Sequence, residues 1–284
     1  VAKICHIDAE DLRKAAIMYA KADMAPIIYC LGVTEHSTGT EGVMSMSNMA
    51  MLVGKLGREG CGVNPIRGQN NVQGACDMGA MPTDFPGYQK VDNPEVLAKF
   101  ENAWGIKLNP KPGIKATEVF PAAIKGDIKG LYIFGEDPVV TDADTNHIIK
   151  ALESLDFLVM NELFMTETAQ YADVILPGVS YAEKEGTFSN TERRVQRVRK
   201  AVELEGEMRL DTDIFTDIMN RMGYPQPHLT SAEIMDEIAS VTPSFAGISH
   251  ERLDKEGGIQ WPCTSKDHPG TPIMHVGKFT RGLG

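Results

Sequence analysis

The sequence predicts an α/β fold, a doubly wound, Rossmann-like parallel sheet, on three observations. Short apolar runs alternate with a helical pattern: GLYIF at 130–134, a helix over 142–154, DFLVM at 156–160 and DVIL at 173–176. Strands separated by helix pair in parallel, because a parallel connection requires a long crossover. The segments that follow these runs, GEDP at 135–138, NELFMTETAQ at 161–170 and the pair Pro177 and Gly178, are polar or small. In such sheets ligands bind in the crevice beyond the carboxyl ends of the strands, so this edge is the expected cofactor site.

The elements before that core follow from capping and periodicity. Asp8 is placed to cap a helix over 9–22 whose Leu12, Ala15, Ala16 and Tyr19 share a face. PIIYCL at 26–31 reads as a short buried strand, followed by the small-residue loop GVTEHSTGT. A Met-rich helix is expected over 41–56, with Val43, Met46, Met49, Ala50 and Val53 on its apolar face and Gly57 ending it. Its methionines read as core packing rather than sulfur ligands.

From 57 to 79 six glycines are interleaved with Asn64, Gln69, Asn70, Asn71 and Gln73. Glycine costs entropy in helix and strand alike, so an irregular loop is expected whose backbone approaches a ligand while amide side chains supply donors and acceptors. Arg67 lies within it, and Arg58 is the only other basic residue of the segment. A lone guanidinium in such a loop can hold a small carboxylate by two parallel hydrogen bonds; the competing reading is a surface arginine paired with Glu59.

The stretch 91–112, with Pro94, Pro110 and Pro112, reads as a polar excursion. Five basic residues fall within 193–200. They are expected on a strand with solvated alternate positions, with phosphate-facing charges as the second reading. Helices are expected over 212–222 and 231–241. The tail 257–284, with nine Gly or Pro among 28 residues, reads as a connection toward a further domain. The expected division is 1–70, a first α/β part ending in the arginine loop; 71–180, a second α/β part with cofactor-binding strand ends; and 181–284, a further cofactor-contacting segment.

Composition narrows the function classes. The 284 residues carry a net charge of −11, which disfavours nucleic acid and acidic membrane surfaces as partners. No apolar run reaches the roughly 18 residues that span a bilayer. The five cysteines, Cys5, Cys30, Cys61, Cys76 and Cys263, form no C-x-x-C, so no metal site and no disulfide framework is expected within the chain, and a reducing, cytoplasmic setting is. No G-x-G-x-x-G joins a strand to a helix, and neither a P-loop nor H-E-x-x-H occurs. Cys5 and His6 are neighbours along the chain, which rarely lets a nucleophile face its base; a structural role is expected for the pair.

Taken together, NPIRGQNNVQGACDMGAMP at 64–82, YCLGVTEHSTGT, FGEDPVVTDAD, FMTETAQYADVILPG and EKEGTFSNTERRVQ closely resemble the catalytic subunit of molybdopterin-dependent formate dehydrogenases, within the dimethyl sulfoxide reductase superfamily. The resemblance covers nearly the whole chain. It implies formate oxidation to carbon dioxide at a molybdenum or tungsten bis(molybdopterin guanine dinucleotide) centre. The protein ligand to the metal and a four-iron four-sulfur cluster would lie in an upstream segment, and electrons would pass to iron–sulfur electron-transfer subunits or another redox partner. On this resemblance the chain is an internal fragment, not expected to act alone.

Carried over by resemblance, Arg67 matches the formate-orienting arginine and Gln69 a glutamine that contacts the pterin. Leu31 and Glu35 fall in a cofactor-touching loop; several members carry Gln at the position of Glu35, so there the backbone is carried over rather than the side chain. Asp137, Thr141, Asn161, Gly178 and Asp213 occupy further cofactor-binding positions. Another molybdopterin oxidoreductase, of nitrate reductase type, and a cofactor-free structural homologue in a respiratory complex are the alternative readings.

Overall fold

The computed structural model describes residues 1–279 and 282. In chain order the elements are α1 Ala2–Cys5, α2 Ala9–Lys21, β1 Pro26–Tyr29, α3 Leu31–Thr34, α4 Gly39–Leu52, β2 Gly62–Pro65, α5 Val72–Asp77, β3 Asp84–Phe85, β4 Gln89–Lys90, α6 Pro94–Trp104 and α7 Ala116–Lys125. They continue as β5 Gly130–Phe134, α8 Pro138–Thr141, α9 Thr145–Glu153, β6 Phe157–Glu162, β7 Val174–Pro177, β8 Gly186–Ser189, β9 Arg194–Val198, α10 Asp211–Arg221, α11 Ser231–Val241, α12 His250–Glu256 and β10 Ile259–Gln260.

Two sheets are parallel. β1 pairs with β2, and β5, β6 and β7 lie side by side in chain order. The alternation of a strand's side chains places helices on both faces of the larger sheet. Ile133, Leu158 and Met160 point to one face, where they pack with Ile148 and Leu152 of α9 and with Phe120 of α7. Tyr132 and Phe134 point to the other and meet the ring of Phe215 on α10 at 5.7 and 5.5 Å. The expected α/β class with parallel sheets is what the chain forms. Burying Leu158 and Met160 contributes about 1.5–3 kcal/mol each and secures the register from which the strand-end loops project.

A second core gathers Val195, Met235, Phe245, Ile248, Leu253, Ile259 and Cys263 around the antiparallel sheet β10-β9-β8. Met78 and Trp261 pack against it. Segment 71–112 is fastened to this unit: Gln89 and Lys99 donate to the carbonyl of Val241, Trp104 donates to Glu237, and Tyr224 donates to the carbonyl of Trp104.

Several sequence expectations need correction. The glycine-rich segment is not irregular throughout: β2 lies inside it because pairing with β1 satisfies its backbone, and α5 follows. The excursion at 91–112 contains α6, started by Asn93, which accepts from the backbone N–H groups of Glu95 and Val96, with Pro94 in the first turn. The helix α4 stops at Leu52, short of Gly57, and Met49 lies exposed rather than on the buried face. Part of the expected connecting tail folds back as β10, with Cys263 fully buried. Residues 280, 281, 283 and 284 of that tail lie outside the described residues.

Candidate cofactor and substrate site

The ends of β1 and β2 lie side by side, and four of the expected site residues follow them. The N–H of Ile66 donates to the carbonyl of Tyr29 at 2.8 Å, extending the ladder one residue past β2. The chain then leaves the sheet, and the N–H of Arg67 donates to Oγ1 of Thr191 at 2.9 Å. Asn71, in the left-handed region at φ 60°, accepts through Oδ1 from the N–H of Ser189 at 2.9 Å. Gly74 is required beneath it, since a Cβ there would come within 2.0 Å of that Oδ1. The loop is thus fixed by its backbone and by Asn71, while its chemistry stays free. Among the described residues the exposed side chains of Arg67, Gln69 and Asn70 have no hydrogen-bond partner, and Arg67 has no ion pair with Glu59 or any other carboxylate.

Across from this loop, Leu31 opens α3, half exposed, and Glu35 closes it by donating its N–H to the carbonyl of Leu31 at 3.0 Å. His36 Nε2 lies 3.0 Å from the carbonyl of Gly32. Gly32 and Gly68, each just past a strand end, would carry a Cβ into open space. Backbone open to approach, beside an uncommitted guanidinium and two uncommitted carboxamides, fits a large polar ligand. A cleft of about 560 Å³ opens nearby between Tyr29, Asn64, Thr191, Arg193 and His275; its walls do not include Arg67 or Gln69.

The ends of β5, β6 and β7 are built differently. Asp137 accepts through Oδ1 from both the N–H and the hydroxyl of Thr168, at 3.0 and 2.5 Å, and Thr168 Oγ1 accepts in turn from the N–H of Val139 at 3.1 Å. Fully buried Thr168 therefore clasps the GEDP loop to the NELFMTETAQ loop. Thr141 donates to Glu136 at 2.7 Å. Asn161 is 1% exposed, accepts from the hydroxyl of Tyr132 at 3.2 Å and donates to the carbonyl of Leu176 at 3.1 Å. One carboxamide N–H and one lone pair remain to it. Gly178 is buried against it: a Cβ would meet Asn161 Nδ2 at 2.6 Å and Asp211 Oδ1 at 2.8 Å. Asp211 is paired with Lys184. Gly135, after β5, faces open space at φ 62°.

Asp213 stands one turn into α10, where Oδ1 lies 2.9 Å from His228 Nδ1. The hydrogen bond to Asp213, aided by the charges of Asp213 and Asp217, raises the pKa of His228. The carboxylate that lies against Gly178 is that of Asp211.

Sequence reasoning passed over a buried hub behind the arginine loop. Asp77, 0% exposed, accepts from Gln73 at 2.7 Å, from the Tyr88 hydroxyl at 2.8 Å and from Trp261 Nε1 at 2.7 Å. Burial raises its pKa, and the hydrogen bonds oppose that shift. Burial, with the neighbouring Asp77 charge, pushes the Tyr88 hydroxyl up as well. Arg193, at φ 65°, stacks over Trp261 and donates to the carbonyls of Trp261 and Thr271. The other cations of the basic strand are spent on the chain's own carboxylates: Arg194 on Glu192, Arg197 and Arg199 on Asp254, Lys200 on Glu203. Thr168, Asp211 and Thr191 were missed because a hydroxyl or carboxylate in a polar loop carries no signal until its partner, 31, 27 or 124 residues away, is known.

The structure thus gathers the expected residues into two groups: Leu31, Glu35, Arg67 and Gln69 at one strand edge; Asp137, Thr141, Asn161 and Gly178 at another, with Asp213 on the helix beyond. Among the described residues no hydrogen bond or ion pair joins one group to the other, and no three His, Cys, Asp or Glu side chains are placed to share a metal ion.

Comparison with known proteins agrees with this architecture. Along its whole length the chain is 51% identical to the F420-dependent formate dehydrogenase 2 subunit alpha of Methanococcus maripaludis, covering 42% of that protein. Its identity to formate dehydrogenase H of Escherichia coli is 44%, over 98% of the chain and 39% of that protein. The chain therefore spans about two fifths of the length of these curated relatives. Acetylene hydratase from Pelobacter acetylenicus shares the fold, with a TM-score of 0.67 over 92% of the chain and 38% of that protein, at 20% identity. Residues 6–221, which include both strand-end groups, match the molybdopterin oxidoreductase family. With that match over most of its length and relatives 44–51% identical along it, this chain belongs to the molybdopterin oxidoreductase family.

Proposed function

We propose that the chain is part of the catalytic subunit of a formate dehydrogenase and that Arg67 orients formate. The observation that carries this reading is a guanidinium exposed and unpaired among the described residues, although its backbone is tied to Thr191 and its loop to Ser189. A planar fork with five donors matches a carboxylate in two parallel hydrogen bonds. A cation fixed at its backbone needs little reorganisation when that anion arrives. The names of relatives at 44–51% identity point the same way.

The reaction would be reversible: HCOO⁻ gives CO2, one proton and two electrons. When bound, a molybdenum or tungsten bis(molybdopterin guanine dinucleotide) centre would supply the two-electron acceptor. Gln69 and the backbone at Leu31 and Glu35 would hold it at one strand edge; Asp137, Thr141, Asn161, Gly178 and Asp213 would hold it at the other. Arg67 would bind the formate oxygens and turn the C–H bond toward that acceptor. An iron–sulfur cluster upstream, iron–sulfur electron-transfer partners and a cytoplasmic setting belong to the same proposal. No helix among the described residues is long and apolar enough to cross a membrane.

The test is Arg67→Ala in the intact catalytic chain, with metal and pterin content measured alongside. Formate oxidation should fall about a hundred- to thousandfold in kcat/KM with cofactor retained. Turnover close to that of the parent enzyme would sink the assignment. Nitrate reduction in place of formate oxidation would replace it with the nitrate reductase reading.

A further inference from the structure

We infer that Thr191 is the positioning residue for Arg67, holding the backbone from which the guanidinium reaches its ligand. This rests on the reading that Arg67 engages the substrate. Thr191 lies in the S-N-T-E-R turn between β8 and β9, a motif the cofactor-binding positions leave unused. Its Oγ1 accepts the Arg67 N–H at 2.9 Å across 124 residues of sequence, and it is the only partner of that N–H among the described residues. Two residues earlier the N–H of Ser189 donates to Asn71, so the arginine loop is pinned to this turn at both ends.

The turn is held by its own hydrogen bonds. Asn190 Oδ1 accepts from the N–H groups of Glu192 and Arg194, at 3.1 and 3.0 Å. The N–H of Arg193 donates to the carbonyl of Asn190 at 2.9 Å, and its side chain binds carbonyls of the tail. From Arg193 the contacts pass to Trp261 and on to Asp77, the last residue of the helix that begins just after Asn71. The path closes: arginine loop, turn, tryptophan, buried carboxylate and back to the loop. Among the described residues Thr191 is the one side chain within it that is hydrogen-bonded to Arg67. Without its oxygen the Arg67 N–H would turn to water, and the loop would keep only its Asn71 tie to this turn.

The experiment compares Thr191→Val, which preserves shape and removes the acceptor, with Thr191→Ser, which restores it, both in the intact catalytic chain. Amide hydrogen exchange at Arg67 should be about tenfold faster in the valine variant, the loss of one hydrogen bond. It should be close to parental in the serine variant, with the 130–134 strand unchanged in both. The KM for formate should rise roughly tenfold in the valine variant with a smaller change in kcat, as expected for a lost contact that acts on binding. The serine variant should recover it. Unchanged exchange at Arg67, faster exchange with parental KM, or equal damage in the valine and serine variants would each overturn the inference. Exchange reports the bond without formate, so a failure of the substrate reading in Arg67→Ala remains separate from a failure here.

Discussion

The two strand-end groups use the same architecture in opposite ways. At the ends of β5, β6 and β7 three polar side chains are buried and already engaged: Asn161 on Tyr132 and Leu176, Thr168 on Asp137 and Val139, Asp211 on Lys184. At the ends of β1 and β2 the backbone is tied down, while Arg67, Gln69 and Asn70 are exposed and uncommitted among the described residues. Polar groups satisfied inside the protein cost little to bury and hold loops in place; groups left with unused donors are the ones a ligand can satisfy. The first edge is thus mainly a frame and the second mainly a contact surface. Substitutions should separate stability from function along that line.

The largest effect expected is on activity, from Arg67→Ala as described above, with stability within about 0.5 kcal/mol of the parent because an exposed, unpaired side chain is removed. A urea midpoint displaced as far as that of a core variant would remove the distinction between the two edges. Next comes Asn161→Ala. It takes their partner from the half-buried Leu176 carbonyl and Tyr132 hydroxyl and leaves a cavity in the sheet, and should cost about 2–3 kcal/mol in chemical denaturation. Gly178→Ala at the same place should cost about 1–3 kcal/mol, because its new methyl meets Asn161 and Asp211 at 2.6 and 2.8 Å. A neutral Gly178→Ala would mean that this edge is looser than its contacts indicate. Thr168→Val is expected to cost about 1–2 kcal/mol, since Asp137 loses the hydroxyl donor and Val139 its acceptor. It should raise hydrogen exchange in 135–141 without altering 64–72.

The smallest effect is a pH dependence. The Asp213 bond raises the folded-state pKa of exposed His228 above its ordinary value of 6.5. The stabilisation is therefore complete below pH 6.5 and is lost as pH rises through the higher folded value. His228→Gln should remove that slope, which unfolding midpoints measured from pH 5 to 9 would read directly. A slope of opposite sign would mean that His228 does not bind Asp213 in solution.

How much was legible beforehand depended on how local the cause was. The strand 130–134 and the helix 231–241 agree to the residue with their expected bounds, and what sets them, an apolar run and the cap that the structure shows at Thr230, acts locally. α6 has a local signal in Asn93-Pro94-Glu95, but Pro94, Pro110 and Pro112 within the polar stretch 91–112 favour loop over helix unless Pro94 is placed in the first turn. β2 was not readable: Gly62-Val63-Asn64-Pro65 has poor strand character and becomes a strand only because β1 lies beside it. Arg67 stood out in the sequence as an isolated cation among amides, whereas Asp77, one carboxylate among many, acquires its buried place only through Tyr88 and Trp261.

The sequence alone determined the α/β class, the polar carboxyl ends of its strands and the arginine placed among glycines and amides, since periodicity, capping and composition act within a dozen residues. Tertiary structure decided which polar groups were consumed and which were left free, because a hydrogen bond depends on a partner that the chain brings from far away. That is why the sequence could pick out Arg67 and Asn161 together, and only the fold could show the first reaching outward and the second turned in.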